Sequence, residues 1–255
     1  VTQLPMEDYA AFEDNPDIQV VDYETTETRW LRTNYVLIDD PKARLGFAHA
    51  FPYQTINEEI YLGRAFQQGP VADNVIGYNP DIELHETDLD RARELLTEGG
   101  VQEGDTFTLM YEGGDASLSA VAELFQANLA EIGINLELQQ VDYAAYWGLE
   151  FSDAPPEERP HFSLAYWWPD YNDSWNQLYP NFHSDSHGSA GANSMYYAND
   201  EFDEYLDQMR DAETEEELIE AAGNALRIVM WDDPGGIFYQ QIIGTTCLSA
   251  DIRGF

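Results

Sequence analysis

The chain has 255 residues and a normal share of apolar ones, enough for one large domain or two modest ones. Its 49 acidic residues face 11 basic ones, for a formal net charge of −38, and Lys42 is the only lysine. That balance excludes nucleic acid as a partner, because binding phosphates needs a basic surface.

The acids run through the whole length, interleaved with aromatics, which describes a folded domain with an acidic surface rather than an acidic tail. Such a surface repels itself strongly at low ionic strength, and at molar salt the Debye length falls to about 3 Å. The expected source is halophilic, a haloarchaeon. Cys247 is the only cysteine, so the chain can build neither an internal disulfide nor a thiolate zinc cluster. No run approaches the roughly 18 apolar residues of a membrane span. The start, VTQLPMEDYAAFEDN, has no basic or apolar leader region and reads as an excised fragment beginning inside a strand.

In chain order, Ile18 to Leu37 is rich in β-branched and aromatic residues and reads as extended. Lys42 to Gly63 is helical, broken near Pro52, and Val71 to Thr87 is a long loop. Thr87 caps a helix with Leu89, Ala92, Leu95 and Leu96 on one face, ended by Gly99 and Gly100. Phe107, Leu109 and Tyr111 alternate as a half-buried strand. After the turn GGDAS, Leu118, Val121, Phe125, Leu129 and Ile132 trace a helical stripe. Ile134, Leu136 and Leu138 alternate again, and strand, helix, strand at this spacing predicts a parallel pair. Phe162 to Trp167 is the next strand. Phe202, Leu206 and Met209 mark a helix, and Thr214 with Glu217 opens another at capping-box spacing, running to about Trp231. Gly236 to Leu248 is extended.

Candidate chemistry is sparse. His183 and His187 are four apart, but HSDSHGSAG is a loop composition without a third ligand and reads as two solvent-facing histidines. The GGDAS turn reads as a turn and cap, without the lysine of a phosphate loop. Asn172-Asp173-Ser174 matches a glycosylation sequon. Neither a nucleophile elbow nor a zinc-protease motif is present.

The stretch Tyr166 to Trp175, YWWPDYNDSW, stands apart. It follows a strand's carboxyl end, where open α/β sheets place ligands. Trp167 and Trp168 point to opposite sides of the strand end, so at least one fills the core. Burying one indole, about 200 Å² at about 25 cal/mol per Å², justifies one tryptophan but not Asp170. A carboxylate among rings must recover its hydration from a cation or several donors. A ligand ammonium would serve, with the rings covering its apolar body. This binding reading and a core-plus-surface reading stand level on composition. Asp170 and Asp173 also admit a secreted glycoside hydrolase or a carbohydrate-binding module, and the aromatic patch admits a protein-interaction domain.

Six segments in order resemble the C-terminal half of the dipeptide and oligopeptide substrate-binding proteins of ABC transporters, family 5. They are NYVLIDDPKARLGFAHA from Asn34; GYNP from Gly77 with TDLDRARELLTEGG; LFQANLAEIGINLELQQVDYAAYW; YWWPDYNDSW with LYPNFHSDS; ANSMYYANDEFDEYLDQMRDAET; and IRGF to Phe255. Trp168-Pro169 and Ser174 depart from the family's pattern, as does the segment after Asp39.

The resemblance implies an α/β, periplasmic-binding-protein-like (type II) lobe, a mixed sheet flanked by helices, with partial segments of the other lobe. Residues 1–33 would be the tail of the first lobe, 34–236 the second, ligand-binding lobe, and 237–255 a return segment. It implies a binding protein, not an enzyme, without cofactor or metal. Asp170 would receive a peptide amino group and Trp167 would belong to the ligand wall. Tyr166, Tyr171 and Asn193 would complete the ligand-binding set. The implied partners are a small peptide and ABC permease subunits, and the implied state is a monomer at the cell surface, lipid-anchored upstream of this stretch.

Overall fold

The computed structural model describes residues 6–254; Val1 to Pro5 and the terminal Phe255 of the IRGF motif lie outside the described residues. The order of elements is α1 (Met6–Phe12), β1 (Ile18–Thr33), α2 (Pro41–Ala50), α3 (Tyr53–Thr55, continuing as a π turn, Ile56–Ile60), β2 (Ala65–Phe66) and α4 (Leu89–Glu98). Then come β3 (Thr106–Glu112), α5 (Ala116–Glu131), β4 (Asn135–Val141), α6 (Tyr143–Glu150), β5 (Phe162–Trp167), α7 (Ser174–Phe182), α8 (Asp200–Asp211), α9 (Glu215–Arg227, continuing as a π turn, Ile228–Asp232) and β6 (Gly236–Ser249).

One mixed sheet runs β2-β6-β1-β5-β3-β4. β3 is parallel to both β4 and β5, as the short strand–helix–strand spacing requires, while β1 is antiparallel to β5 and β6. The carboxyl ends of β3, β4 and β5 therefore lie at one edge. Only Thr28–Thr33 of β1 pairs with β5; Ile18–Glu24 pairs with Ile243–Ser249 of β6 alone, beyond a register shift, and forms a two-stranded ribbon.

Side chains alternate across the sheet and fill a core on each face. Leu31, Phe162, Leu164, Ile237 and Tyr239 meet Phe47 of α2, Phe51 just past its end and Phe125 of α5. Trp30, Ala165 and Phe238 point the other way, into Phe182, Phe202 and Leu226 from α7, α8 and α9.

Local details correct several expectations. The strand expected where the sequence begins lies outside the described residues; the first described element is the helix Met6–Phe12. β1 ends at Thr33 rather than Leu37, because buried Asn34 turns the chain: its Oδ1 accepts from the Val36 and Leu37 N–H groups and its Nδ2 donates to Pro156 and Pro160 carbonyls. The cap of α4 is Asp88, which accepts from the Arg91 N–H, while the Thr87 hydroxyl donates to the Phe51 carbonyl. The Thr214–Glu217 capping box is present. His183 is buried and His187 half-buried. The His183 Nδ1 accepts from the Asp185 N–H, and the His187 ring lies 2.7 Å from the Tyr197 carbonyl. They are structural side chains rather than solvent-facing ones. Among the described residues, no cluster of acids, histidines or cysteines could hold a metal, and no helix is long and apolar enough to cross a membrane.

Candidate functional site

β5 carries Tyr166 and Trp168 to one side and Trp167 to the other, as alternation demands. Pro169 then stops the strand, and a short loop leads into α7. Four hydrogen bonds fix that loop. The Asp170 N–H donates to Asn176 Oδ1 at 2.5 Å, and Asp173 caps α7 by accepting from the Trp175 N–H at 2.7 Å. The Ser174 N–H donates to the Ile76 carbonyl, and Asn172 Oδ1 accepts from the Ile76 N–H. Gly77 follows at φ +88°, and a Cβ there would strike the Ser174 hydroxyl, so the Gly77 turn and the aromatic motif are clamped together.

Next to this loop, Asp142 caps α6 by accepting from the Ala145 N–H. Tyr143, Trp147 and Phe151 follow at intervals of four and line one helical face. They join Tyr166, Trp167, Trp168 and Asp170 around an open cavity of about 330 Å³ at the carboxyl ends of β3 and β5.

The rings form a corner. Tyr166 and Trp168 stack with centroids 6.0 Å apart, and Trp147 and Phe151 stack at 5.5 Å. Trp147 meets Tyr166 at 5.5 Å with the planes 83° apart. Glu112, the last residue of β3, sets both walls: one carboxylate oxygen accepts from the Trp147 indole at 3.2 Å and from the Tyr166 hydroxyl at 3.4 Å. Burial, and next the Glu112 charge, push the Tyr166 phenol up to about 12. The phenol is therefore protonated at neutral pH and can donate to Glu112.

Asp170 is exposed on the rim, and among the described residues no lysine or arginine pairs with it. An ammonium could lie between this carboxylate and the rings, where cation–π attraction adds about 0.5–2 kcal/mol.

The other expected site residues divide. Trp167 is half-buried against the second core, its indole nitrogen buried, and also lines the cavity. Trp168 lines the same cavity and is 54% exposed. Tyr171 is exposed beside the rim but does not line the cavity. Asn193 is a correction. It is buried, its amide donates to the His183 and Tyr197 carbonyls and accepts from the Tyr197 N–H, and nothing brings it to the cleft. Asp173, the other carboxylate that suggested glycoside hydrolysis, caps α7 and is not among the residues that line the cavity. Sequence reasoning missed Glu112 and the α6 stripe; the signal for the stripe was the four-residue spacing of rings in YAAYWGLEF.

The family model for bacterial extracellular solute-binding proteins, family 5 (Middle), matches residues 1–189. A di/tripeptide-binding protein 2 of Pseudomonas aeruginosa is 27% identical over 248 residues, covering 92% of this chain and 43% of that protein. The chain is also similar to DppA of Helicobacter pylori, solved with the peptide STSA, at TM-score 0.87 and 24% identity over 99% of this chain and 49% of that one. NikZ of Campylobacter jejuni, solved with Ni(L-His), gives TM-score 0.85 at 15% identity, over 98% of this chain and 52% of that one. The chain thus spans about half the length of these proteins. A sheet of this topology and a cavity at its carboxyl edge accompany a family match over most of the sequence, and the chain belongs to the bacterial extracellular solute-binding proteins of family 5.

Proposed function

We propose that this chain is the ligand-capturing half of an ABC-importer binding protein that takes up di- or oligopeptides or a similar amine-bearing solute. The observation that carries the reading is Asp170: a carboxylate on the rim of an aromatic cavity, with no lysine or arginine paired to it among the described residues, held in place through its own backbone N–H. The carboxylate receives the solute's ammonium, and Trp168, Tyr166 and Trp147 cover its apolar body. Trp167 supports this wall from behind, and Tyr171 flanks the rim. No catalytic role is assigned to any residue; the protein is a carrier.

Residues 34–236 form the ligand-binding lobe, 1–33 the tail of the first lobe, and 237–255 the return segment. The ribbon of Ile18–Glu24 with Ile243–Ser249 leaves the sheet as a pair of strands, which supports a passage toward the other lobe at Glu24 and Ile243, while Thr28–Thr33 and Gly236–Gln241 stay within the sheet of the binding lobe. Closure of the two lobes over the solute excludes water and creates the shape that membrane permease subunits recognise. The protein works as a monomer at the cell surface of a halophile, lipid-anchored upstream of Val1.

The test is calorimetric titration of the full-length protein with a dipeptide in molar KCl. Asp170→Asn keeps the shape and removes the charge, so affinity falls about 30-fold or more. Unchanged affinity in that variant overturns the reading.

A further inference from the structure

The strand that leaves the binding lobe carries a bulge. Glu24 pairs with Ile243 and Thr28 with Gln241, so Thr25, Thr26 and Glu27 face Ile242 alone. Extra residues on one strand of a pair bend it and raise its twist. The bend lies where the sheet gives way to the ribbon of Ile18–Glu24 with Ile243–Ser249.

One side chain clasps this bend. Gln241 is only 2% exposed, and both the nitrogen and the oxygen of its amide are engaged. Nε2 donates to the Thr25 carbonyl and to Asp73 Oδ1, each at 2.9 Å, and Oε1 accepts from the Asp73 N–H, also at 2.9 Å. The Thr25 hydroxyl donates to the Ile242 carbonyl at 2.5 Å. Gln241 thus ties the bend to residues 73–77 of the long loop.

That segment is short and braced. The Val75 N–H donates to the Ala72 carbonyl and the Tyr78 N–H to the Val75 carbonyl, which makes two successive turns. Ala72 and Val75 are anchored in the second core. At its far end Ile76 holds Asn172 Oδ1 and the Ser174 N–H, with Gly77 packed on the Ser174 hydroxyl. Asn172 stands two residues from Asp170. The segment is a strap from the bend to the rim of the cavity.

We infer that Gln241 is a positioning residue for capture: through this strap it sets the bend of β1 against the Asp170 rim, so that the other lobe arrives over the solute at a fixed angle. This rests on the capture reading of Asp170 and on passage of the chain to the other lobe at Glu24 and Ile243. Gln241 makes no contact with the solute. It acts by narrowing the range of closed geometries, and a protein that spends less time in the competent one binds proportionately more weakly.

The experiment uses the full-length protein in molar KCl with alanylalanine as the probe. It reads affinity by calorimetry and compaction by the radius of gyration from X-ray scattering. Saturating dipeptide shrinks the parent. Gln241→Met keeps the length of the side chain and loses the amide, so it binds about tenfold more weakly and shrinks by less than about half as much as the parent. Asn172→Ala, a change at the surface, loosens the other end of the strap and acts in the same sense. The double variant binds no more weakly than Gln241→Met alone, whereas independent distant sites would add. Parental affinity and compaction in Gln241→Met overturn the inference, as do additive losses or a parent that binds without compacting. Should the buried change unfold the chain, full compaction of Asn172→Ala overturns it instead. In each of these cases the capture reading stands, because Asp170→Asn still weakens binding. If the parent neither binds nor compacts, both fall together.

Discussion

The indole of Trp168 lies over the phenol ring of Tyr166, centroids 6.0 Å apart and planes 14° from parallel, although 54% of Trp168 is exposed. Its neighbour Trp167 faces the opposite way, into the second core. The pair therefore separates binding from folding. Trp168→Ala removes an exposed ring and changes stability by less than about 1 kcal/mol, but lowers solute affinity about tenfold or more. Trp167→Ala empties core volume and costs about 3 kcal/mol. Urea unfolding and calorimetry on both variants check the split; equal stability losses would sink the two-sided assignment.

The wall beside them is held down by a buried ion pair. Glu150, at the end of α6, accepts from Arg32 at 2.6 Å and from the Ser194 hydroxyl at 2.5 Å, and Arg32 also reaches Asn181 at 3.2 Å. Glu150→Ala leaves a buried guanidinium uncompensated, which costs about 3–5 kcal/mol. The double variant Arg32→Met, Glu150→Leu recovers most of that loss, since a buried pair and a packed apolar pair are nearly equivalent. A lower urea midpoint at unchanged slope for the single change, and a restored one for the double, is the expected result.

The fold was largely legible from periodicity, and the site only in part. β5 was read at Phe162 to Trp167, its observed limits, because a short apolar run ends at the Trp168-Pro169 breaker. α5 and β4 were legible for the same reason, one side of each being apolar. α7 was not, since Pro180 interrupts it and it buries polar Asn176, Gln177 and Asn181. In the site, Asp170 stood out by being an acid among rings. Glu112 did not, because its role depends on β3 and β5 being adjacent in space, which places it against both Trp147 and Tyr166. Asn193 was misplaced because a motif position carries no information about which way its amide turns.

His85 makes the fold sensitive to acid. It is almost fully buried, its ring 4.2 Å from Trp231 and 5.9 Å from His49. Burial, and next the neighbouring His49, push its imidazole down from 6.5 to about 4. The folded chain thus binds fewer protons here than the unfolded chain between those limits. The stabilising contribution is present above pH 6.5 and is lost as pH falls toward 4. At pH 5 the loss from this group is about 2 kcal/mol. His85→Phe removes the titration, so its stability falls less between pH 7 and pH 5 than that of the parent. Parallel urea midpoints for the two proteins across that range would refute the assignment.

Salt should act in the opposite sense, by relieving repulsion. Nine of the eleven cations are engaged by carboxylates and the formal net charge remains −38, so most acids on the surface face one another. Raising ionic strength from about 0.1 to 1 M shortens the Debye length from about 10 to 3 Å, which removes most of this self-repulsion. The melting temperature should therefore climb by about 5 °C or more over that range, equivalent to about 2 kcal/mol for a chain of this size. Exchanging the exposed Glu59, Glu131, Glu137 and Glu204 for lysine changes the formal charge by +8, from −38 to −30. That variant melts higher than the parent in low salt and gains less from added salt. An identical salt slope in the two proteins would mean that the carboxylates do not set it.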